Sequence, residues 1–450
     1  AATIANGRNH FQAITGPGQG TVGAGQREVG DYTNPVGYLD DNPDYQPSNG
    51  FDGNLSTYYY VPRSPTGNYP EAIVFDEVQT GTTVRVYSFV INGAIFANNI
   101  PVSGTTGWID VSEAIAASNE GGLKSLGFIS GSGQGGFSAV EIDGEILVQA
   151  GILYQAQQTF PNALWWIKDR DNANQHQLLD SVREGNLALP SPNKGRESTY
   201  IPPAGDSVAW CWNLDDNRSN GFDILTYTGN GTMGRAIPHN LDASRPLDFV
   251  IVRGYGGAST YPDSSANFVC WHNALEPNGY LYLNLGTAAG TTNSFWSSTG
   301  PNTNLGSLTV GTDPDTNGNT VNWNGDIKYV AYLWQSISGY SAFGLYEGNS
   351  SPDGPFIYTG FKIGWLMVKS TGSAPWAIWD STRKPTNPNN VWLEANVENN
   401  ELSGAHDIDF LSNGFKVRYN SAYENQGTLL YAAFAENPFG GSNVPPVTAR

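Results

Sequence analysis

The amino-acid sequence predicts an all-β chain built from several units, and three observations carry that prediction. Short β-branched and aromatic runs alternate with turn dipeptides from one end to the other. Glycine (54) and proline (27) are plentiful, which suits turns and disfavours long helices. One strand-and-turn motif recurs three times in the second half. At 450 residues the chain also exceeds one ordinary core, so two to four domains are expected.

Taken in order, residues 1–30 are glycine-rich with little alternation and read as a linker or the end of an upstream element. Residues 31–150 read as a first β unit. Its strands include Ala72–Phe75 and Val84–Ile91, and it closes on Phe137–Val148, where Asp143-Gly144 makes a hairpin turn. One helix is expected over Val111–Ser118 with Asp110 as its cap, and a short helical turn over Ile152–Gln158. Residues 151–222, 223–338 and 339–441 read as β-repeats 1, 2 and 3, and 442–450 as a C-terminal tail.

The repeat rests on quoted residues. Trp165-Trp166-Ile167-Lys168 leads to Asp180-Ser181-Val182-Arg183, and Trp365-Leu366-Met367-Val368-Lys369 leads to Asp380-Ser381-Thr382-Arg383. The middle copy has Phe249-Val250-Ile251-Val252-Arg253 and then Val269-Cys270-Trp271-His272, without the Asp-Ser-X-Arg segment. Each copy ends in an aromatic strand, which places Trp212, Trp334 and Phe434 at equivalent positions. The repeats are expected as small sandwiches or as three sheets, blade-like, around a shared aromatic core. In this reading each Asp-Ser-X-Arg pair fixes a loop against its own sheet, because scaffold parts repeat more readily than catalytic sites.

Charge and composition narrow the function classes. Lys and Arg number 22 against 41 Asp and Glu, for a net charge of −19, so binding to nucleic-acid phosphates is disfavoured. No apolar run approaches the length of a membrane span, so no membrane insertion is expected. Two cysteines, Cys211 and Cys270, are too few for a disulfide framework, and Cys211 sits in an aromatic strand where a buried thiol is expected.

No nucleophile elbow, phosphate loop or zinc-protease motif is present, and the five histidines are scattered. No catalytic residue is therefore assigned, and no cofactor is required. Asp313-Pro314-Asp315-Thr316-Asn317-Gly318 copies the first half of a calcium loop, but Asn324 replaces the closing glutamate, which favours an Asx-rich turn. Asp40, Asp44, Asp52 and Asn54 cluster at the opening of the first unit and are candidates for a structural calcium, against an ordinary β-turn. Aromatics in polar loops are the candidates for stacking on sugar rings: Tyr255, Tyr261, Trp296 and Trp323.

Two stretches resemble a known family. Phe51-Asp52-Gly53-Asn54 with Ala139-Val140-Glu141-Ile142-Asp143-Gly144 resembles a galactose-binding-like jelly roll, a β-sandwich that recurs in tail proteins of marine phages. Leu164–Arg170, Gln175–Arg183, Val208–Trp212, Tyr227–Gly231, Ile237–Leu241 and Tyr431–Phe439 resemble the repeated C-terminal β-domains of marine bacteriophage tail-fibre, receptor-binding proteins. The resemblance implies a virion appendage at the particle surface, commonly a homotrimer. It would contact other virion proteins and recognise host cell-surface glycan without catalysis. The rival expectations are a structural fibre or capsid decoration protein and a surface polysaccharide depolymerase.

Overall fold

The structure, a computed structural model, describes residues 10–17, 26–28, 32–33, 51, 59–60, 68–88, 93–104, 106–130, 136–148, 151–183, 187–191, 198–256, 267–318 and 327–436. It is all-β and divides into two compact units, residues 19–154 and residues 1–18 with 155–450.

Residues 19–154 form a sandwich of two sheets. The first orders Tyr32–Thr33, Asn68–Gln79, Leu123–Ser130, Gly93–Ala97 and Ile100–Gly104. The second orders Gln26–Glu28, Glu145–Val148, Gly136–Ile142, Val84–Ser88 and Gly107–Asp110, with Tyr59–Tyr60 alongside Gly136–Ile142. Ile73, Phe75, Ile95 and Leu126 from one sheet meet Val84, Val86, Val140 and Ile142 from the other, as period-2 alternation requires. The expected Asp-Gly hairpin forms, with positive φ at Asp143 (51°) and Gly144 (89°). The helix runs Ser112–Ser118. Val111 occupies its cap without a side-chain bond, and Asp110 Oδ1 accepts from the Ser112 N–H at 2.9 Å.

In the other unit, each repeat contributes five equivalent strands in one sheet order. In chain order these are Phe11–Pro17, Ala163–Asp169, His176–Asp180, Leu187–Ser191 and Asp206–Asn213 in repeat 1. Repeat 2 has Phe222–Thr228, Phe249–Gly256, Val269–His272, Gly279–Tyr282 and Lys328–Trp334. Repeat 3 has Ser341–Glu347, Ile363–Ser370, Trp376–Asp380, Asn389–Glu394 and Thr428–Ala435. Across every sheet the order is first, fifth, second, third, fourth. Repeat 3 continues through Leu402–Leu411, Gly414–Val417 and Phe356–Tyr358, curling back into an eight-stranded sheet.

This order corrects the linker reading of residues 1–30. Phe11–Pro17 is the first strand of repeat 1, paired along its whole length with Asp206–Asn213. The sandwich of residues 19–154 is thus inserted in sequence between the first and second strands of repeat 1. Local alternation is weak in this strand because Phe11 alone is fully buried among its described side chains.

The three sheets share one aromatic core. Leu164 and Trp166, Phe249 and Ile251, Trp365 and Met367 all face it from the second strands. Trp212 meets Trp334 at 6.2 Å, Trp365 at 5.2 Å and Phe434 at 5.5 Å between ring centroids. The void among these rings is only about 10 Å³, so the core is packed rather than a ligand cavity. Alternate residues of the second strands, Val250 and Val252 in repeat 2 and Leu366 and Val368 in repeat 3, build a separate outer core in each. Burial on both faces explains why these strands read as unbroken apolar runs.

The register puts Asp180, His272 and Asp380 at one position, opposite Leu164, Phe249 and Trp365. Each reaches a neighbouring repeat. Asp180 Oδ2 accepts from the Tyr332 hydroxyl at 2.8 Å, and Asp380 Oδ2 accepts from Trp210 Nε1 at 3.0 Å. His272 receives the Ala274 N–H at Nδ1, so its Nε2–H donates to the Tyr431 carbonyl at 3.1 Å. Repeat 1 grips repeat 2, repeat 2 grips repeat 3, and repeat 3 grips repeat 1. The two aspartates are also the partners of Arg183 (2.7 Å) and Arg383 (2.5 Å), which fixes the Asp-Ser-X-Arg segments as scaffold. The second strands end in equivalent buried cations, Lys168, Arg253 and Lys369. Lys168 Nζ donates to the Asp169 carbonyl and Lys369 Nζ to the Ser370 carbonyl, each at 2.7 Å, and desolvation pushes both ammonium groups down to about 8. Cys211 and Cys270 are buried free thiols.

Candidate functional site

Of the residues nominated from sequence, the two that are described, Tyr255 and Trp296, pack in different cores and do not come together. Trp296 is fully buried in the outer core of repeat 2, and its Nε1 donates to the Gly279 carbonyl at 3.1 Å. It is a packing residue, because the Ser294–Ser297 segment turns inward. Tyr255 is half-buried against the shared core, with the Arg183 guanidinium 5.5 Å from its ring. Tyr261, Trp323, Asp40, Asp44, Asp52 and Asn54 lie outside the described residues. The Asp313 segment is an Asx-capped helical turn, Pro314–Asn317, in which Asp313 accepts from the Asp315 N–H and Asp315 holds the Asn267 side chain at 2.8 Å.

That turn has a duplicate in repeat 3, and the duplicate leads to the site. Asn317 N donates to the Asp313 carbonyl, and Asn425 N to the Ser421 carbonyl. The Asp313 side chain receives the Asp315 N–H, and the Ser421 hydroxyl receives the Tyr423 N–H. Asn317 Oδ1 accepts from the Asn230 N–H, and Asn425 Oδ1 from the Asn349 N–H, both at 3.0 Å. The Tyr227 hydroxyl donates to the Thr316 carbonyl, and the Tyr346 hydroxyl to the Glu424 carbonyl. Thr316 and Glu424 therefore occupy one structural position.

Their side chains do different things. Thr316 Oγ1 donates to the Phe295 carbonyl at 3.1 Å, which closes the turn. Glu424 is fully buried. Its Oε2 lies 2.8 Å from His406 Nδ1, and its Oε1 has no hydrogen-bond partner among the described residues. Burial pushes its pKa up, His406 pulls it down, Asp407 adds a further upward push, and the residue's own backbone N–H gives a small downward one, leaving it raised. An unmatched buried carboxylate oxygen is costly unless a water, an ion or a ligand group meets it.

His406 is delivered by a bulge. Asn389 pairs with Ile408 but Val391 with Ser403, so extra residues loop out of the strand between them. Gly404 (φ 87°) and His406 (φ 55°) take left-handed conformations there, which is strained for the histidine. The imidazole sits among three aromatic rings: Trp392 at 4.5 Å, Tyr423 stacked at 4.6 Å and Tyr419 at 5.2 Å. Trp379 Nε1 donates to the His406 carbonyl at 3.1 Å and anchors the bulge. Trp392 Nε1 has no partner among the described residues. Tyr419 is 40% exposed and is the solvent-facing member of the three rings. Tyr423 lies beside Glu394, and burial with that carboxylate pushes its hydroxyl up. The slot is thus aromatic-walled, with acidic groups Glu394, Asp407 and Glu424 around one imidazole.

Sequence reasoning missed this site. His406 looked like one more scattered histidine, and only the glycine at 404 signals a bulge. A second concavity, a cleft of about 410 Å³ between repeats 1 and 3, is lined by Asn174, Gln175, Gln177, Pro190 and Ile201 of repeat 1 and Glu398 of repeat 3, with further prolines and alanines and no aromatic ring among its described lining residues. Ile201 is 69% exposed there, held out by a two-way amide clamp from Gln177. Among the described residues no cluster of His, Cys, Asp and Glu has the make-up of a metal site.

The profile of a family described as a domain of unknown function, DUF7483, matches residues 203–438, just over half of the chain. The match begins at the last strand of repeat 1 and takes in the whole of repeats 2 and 3, including the His406 slot. No curated protein matches the chain.

Proposed function

This chain belongs to the DUF7483 family, domains of unknown function, and from that premise we propose that it is a non-catalytic glycan-binding protein whose ligand enters the His406 slot of repeat 3. One observation carries the reading. A turn built twice on the same hydrogen bonds is closed by Thr316 in repeat 2 and opened onto an aromatic, carboxylate-bearing slot by Glu424 in repeat 3. Aromatic faces stack on the apolar faces of sugar rings, and carboxylates accept from hydroxyl and amine groups. Tyr358 and Phe356 are exposed elsewhere on repeat 3, and Tyr419 is the exposed ring among the three aromatics around His406.

The biological setting that fits this chemistry is a phage appendage of the tail-fibre type, exposed on the virion and contacting host surface glycan. A homotrimer would present three slots, and avidity would multiply a weak single-site affinity by 10²–10⁴ or so. A glycan array probed with the wild-type protein and Tyr419→Ala tests the reading. Binding that falls about tenfold or more in the variant is expected. An array with no bound glycan, or binding untouched by Tyr419→Ala, overturns it.

A further inference from the structure

Resting on that reading of the slot, we infer that His406 is its internal occupant and stands in for the ligand's own cationic group, the protonated amine of an amino sugar. The imidazole has the surroundings of a bound cation. Three aromatic rings surround it at 4.5–5.2 Å, with Tyr423 stacked face to face on it, Trp392 near-perpendicular and Tyr419 tilted, and a ring face at this distance attracts positive charge. A buried carboxylate contacts one edge at 2.8 Å and keeps a second oxygen without a partner among the described residues. Asp407 and Glu394 add negative charge around the same space.

The backbone carries the occupant under strain. His406 is held at φ 55° on a bulge whose preceding glycine, Gly404, has open space where a Cβ would be. Leaving the slot would let the bulge relax and free both Glu424 oxygens. An ammonium group then satisfies the carboxylate, while the sugar ring stacks on Tyr419 or Tyr423. A neutral N-acetyl group supplies only one donor and no charge, so the amine is preferred.

The occupant lowers apparent affinity by the fraction of time it fills the slot. His406→Gly empties the slot and suits the positive φ, and His406→Asn, which also tolerates that conformation, is the second variant should glycine loosen the bulge. Calorimetric titration with glucosamine and with N-acetylglucosamine reads the outcome, with n-butylammonium as the amine without a sugar ring. Glucosamine binding about tenfold or more tighter in His406→Gly than in wild type is expected, with a smaller change for N-acetylglucosamine. Glu424→Gln on that background should erase the preference for the amine. Equal gains for both sugars, or no gain in either His406 variant, overturn the occupant role while leaving the Tyr419→Ala array result to judge the glycan reading. Butylammonium binding as tightly as glucosamine overturns the sugar as the source of the amine.

Discussion

Repeats 2 and 3 share a turn down to its hydrogen bonds, yet one is sealed and the other is not. Asn317 and Asn425 are both fully buried and both receive the N–H of an asparagine from the strand-following loop. What differs is the residue before them. Thr316 finishes its hydrogen bonding on the Phe295 and Asp313 carbonyls, whereas Glu424 contacts His406 and keeps an oxygen without a partner among the described residues. Duplication inside one chain thus separates what the scaffold needs, which is repeated, from what it tolerates for another purpose, which is not.

The contrast can be broken most sharply by Thr316→Glu. Among the described residues of repeat 2 no counterpart of His406 contacts Thr316, so the new carboxylate is expected to be buried unpaired at a cost of about 3–5 kcal/mol. Urea unfolding measures it, and a loss below about 1 kcal/mol would mean that both turns accept a carboxylate equally. Next come Asn317→Ala and Asn425→Ala. Each strands a buried N–H and several carbonyls, and each should cost about 2–3 kcal/mol. A large loss in one and none in the other would show that the turns are not the same part.

The smallest expected effect is the most diagnostic. Glu424→Thr transplants the repeat 2 residue and should change stability by about 1 kcal/mol, in the stabilising direction, at neutral pH. Its size depends on pH. Burial raises the folded pKa of Glu424 above the usual 4.5, so the folded protein holds that proton longer than the unfolded chain does. Wild type and variant should therefore match most closely below about pH 4.5, and wild type should fall behind as pH rises through the folded value. Unfolding midpoints taken across that range would show a widening gap, and a narrowing one would contradict the burial argument.

Much of the architecture was legible because packing on two faces leaves a strong trace. Trp165–Lys168 and Trp365–Lys369 read as strands, and the Asp-Ser-X-Arg segments read as scaffold, which Asp180 and Asp380 bear out with their buried arginines. Phe11–Pro17 was illegible because its partner strand, Asp206–Asn213, lies far along the chain beyond an inserted unit. Trp296 was misread because a tryptophan among serines looks solvent-facing, and only the fold reveals the Gly279 carbonyl that waits for its indole. The His406 slot escaped because its logic is positional. Ser421 and Asp313 do one job with different side chains, so the equivalence of Glu424 and Thr316 exists in hydrogen bonds rather than in letters.

The inserted sandwich also sets a clock. The first strand of repeat 1 is synthesised long before the Asp206–Asn213 strand it pairs with, and at 5–20 residues per second that interval is roughly 10–40 s. Hairpins close in microseconds, so the second, third and fourth strands can pair almost as soon as they emerge, and the second strand waits only about 40 residues more for its other partner, Asp206–Asn213. Phe11–Pro17 waits longest, an unpaired strand during translation, while residues 19–154 have time to fold ahead of that pairing. A nascent chain stalled before residue 206 would carry a finished sandwich and an orphan strand, and release of the stall would complete the aromatic core from its oldest residue.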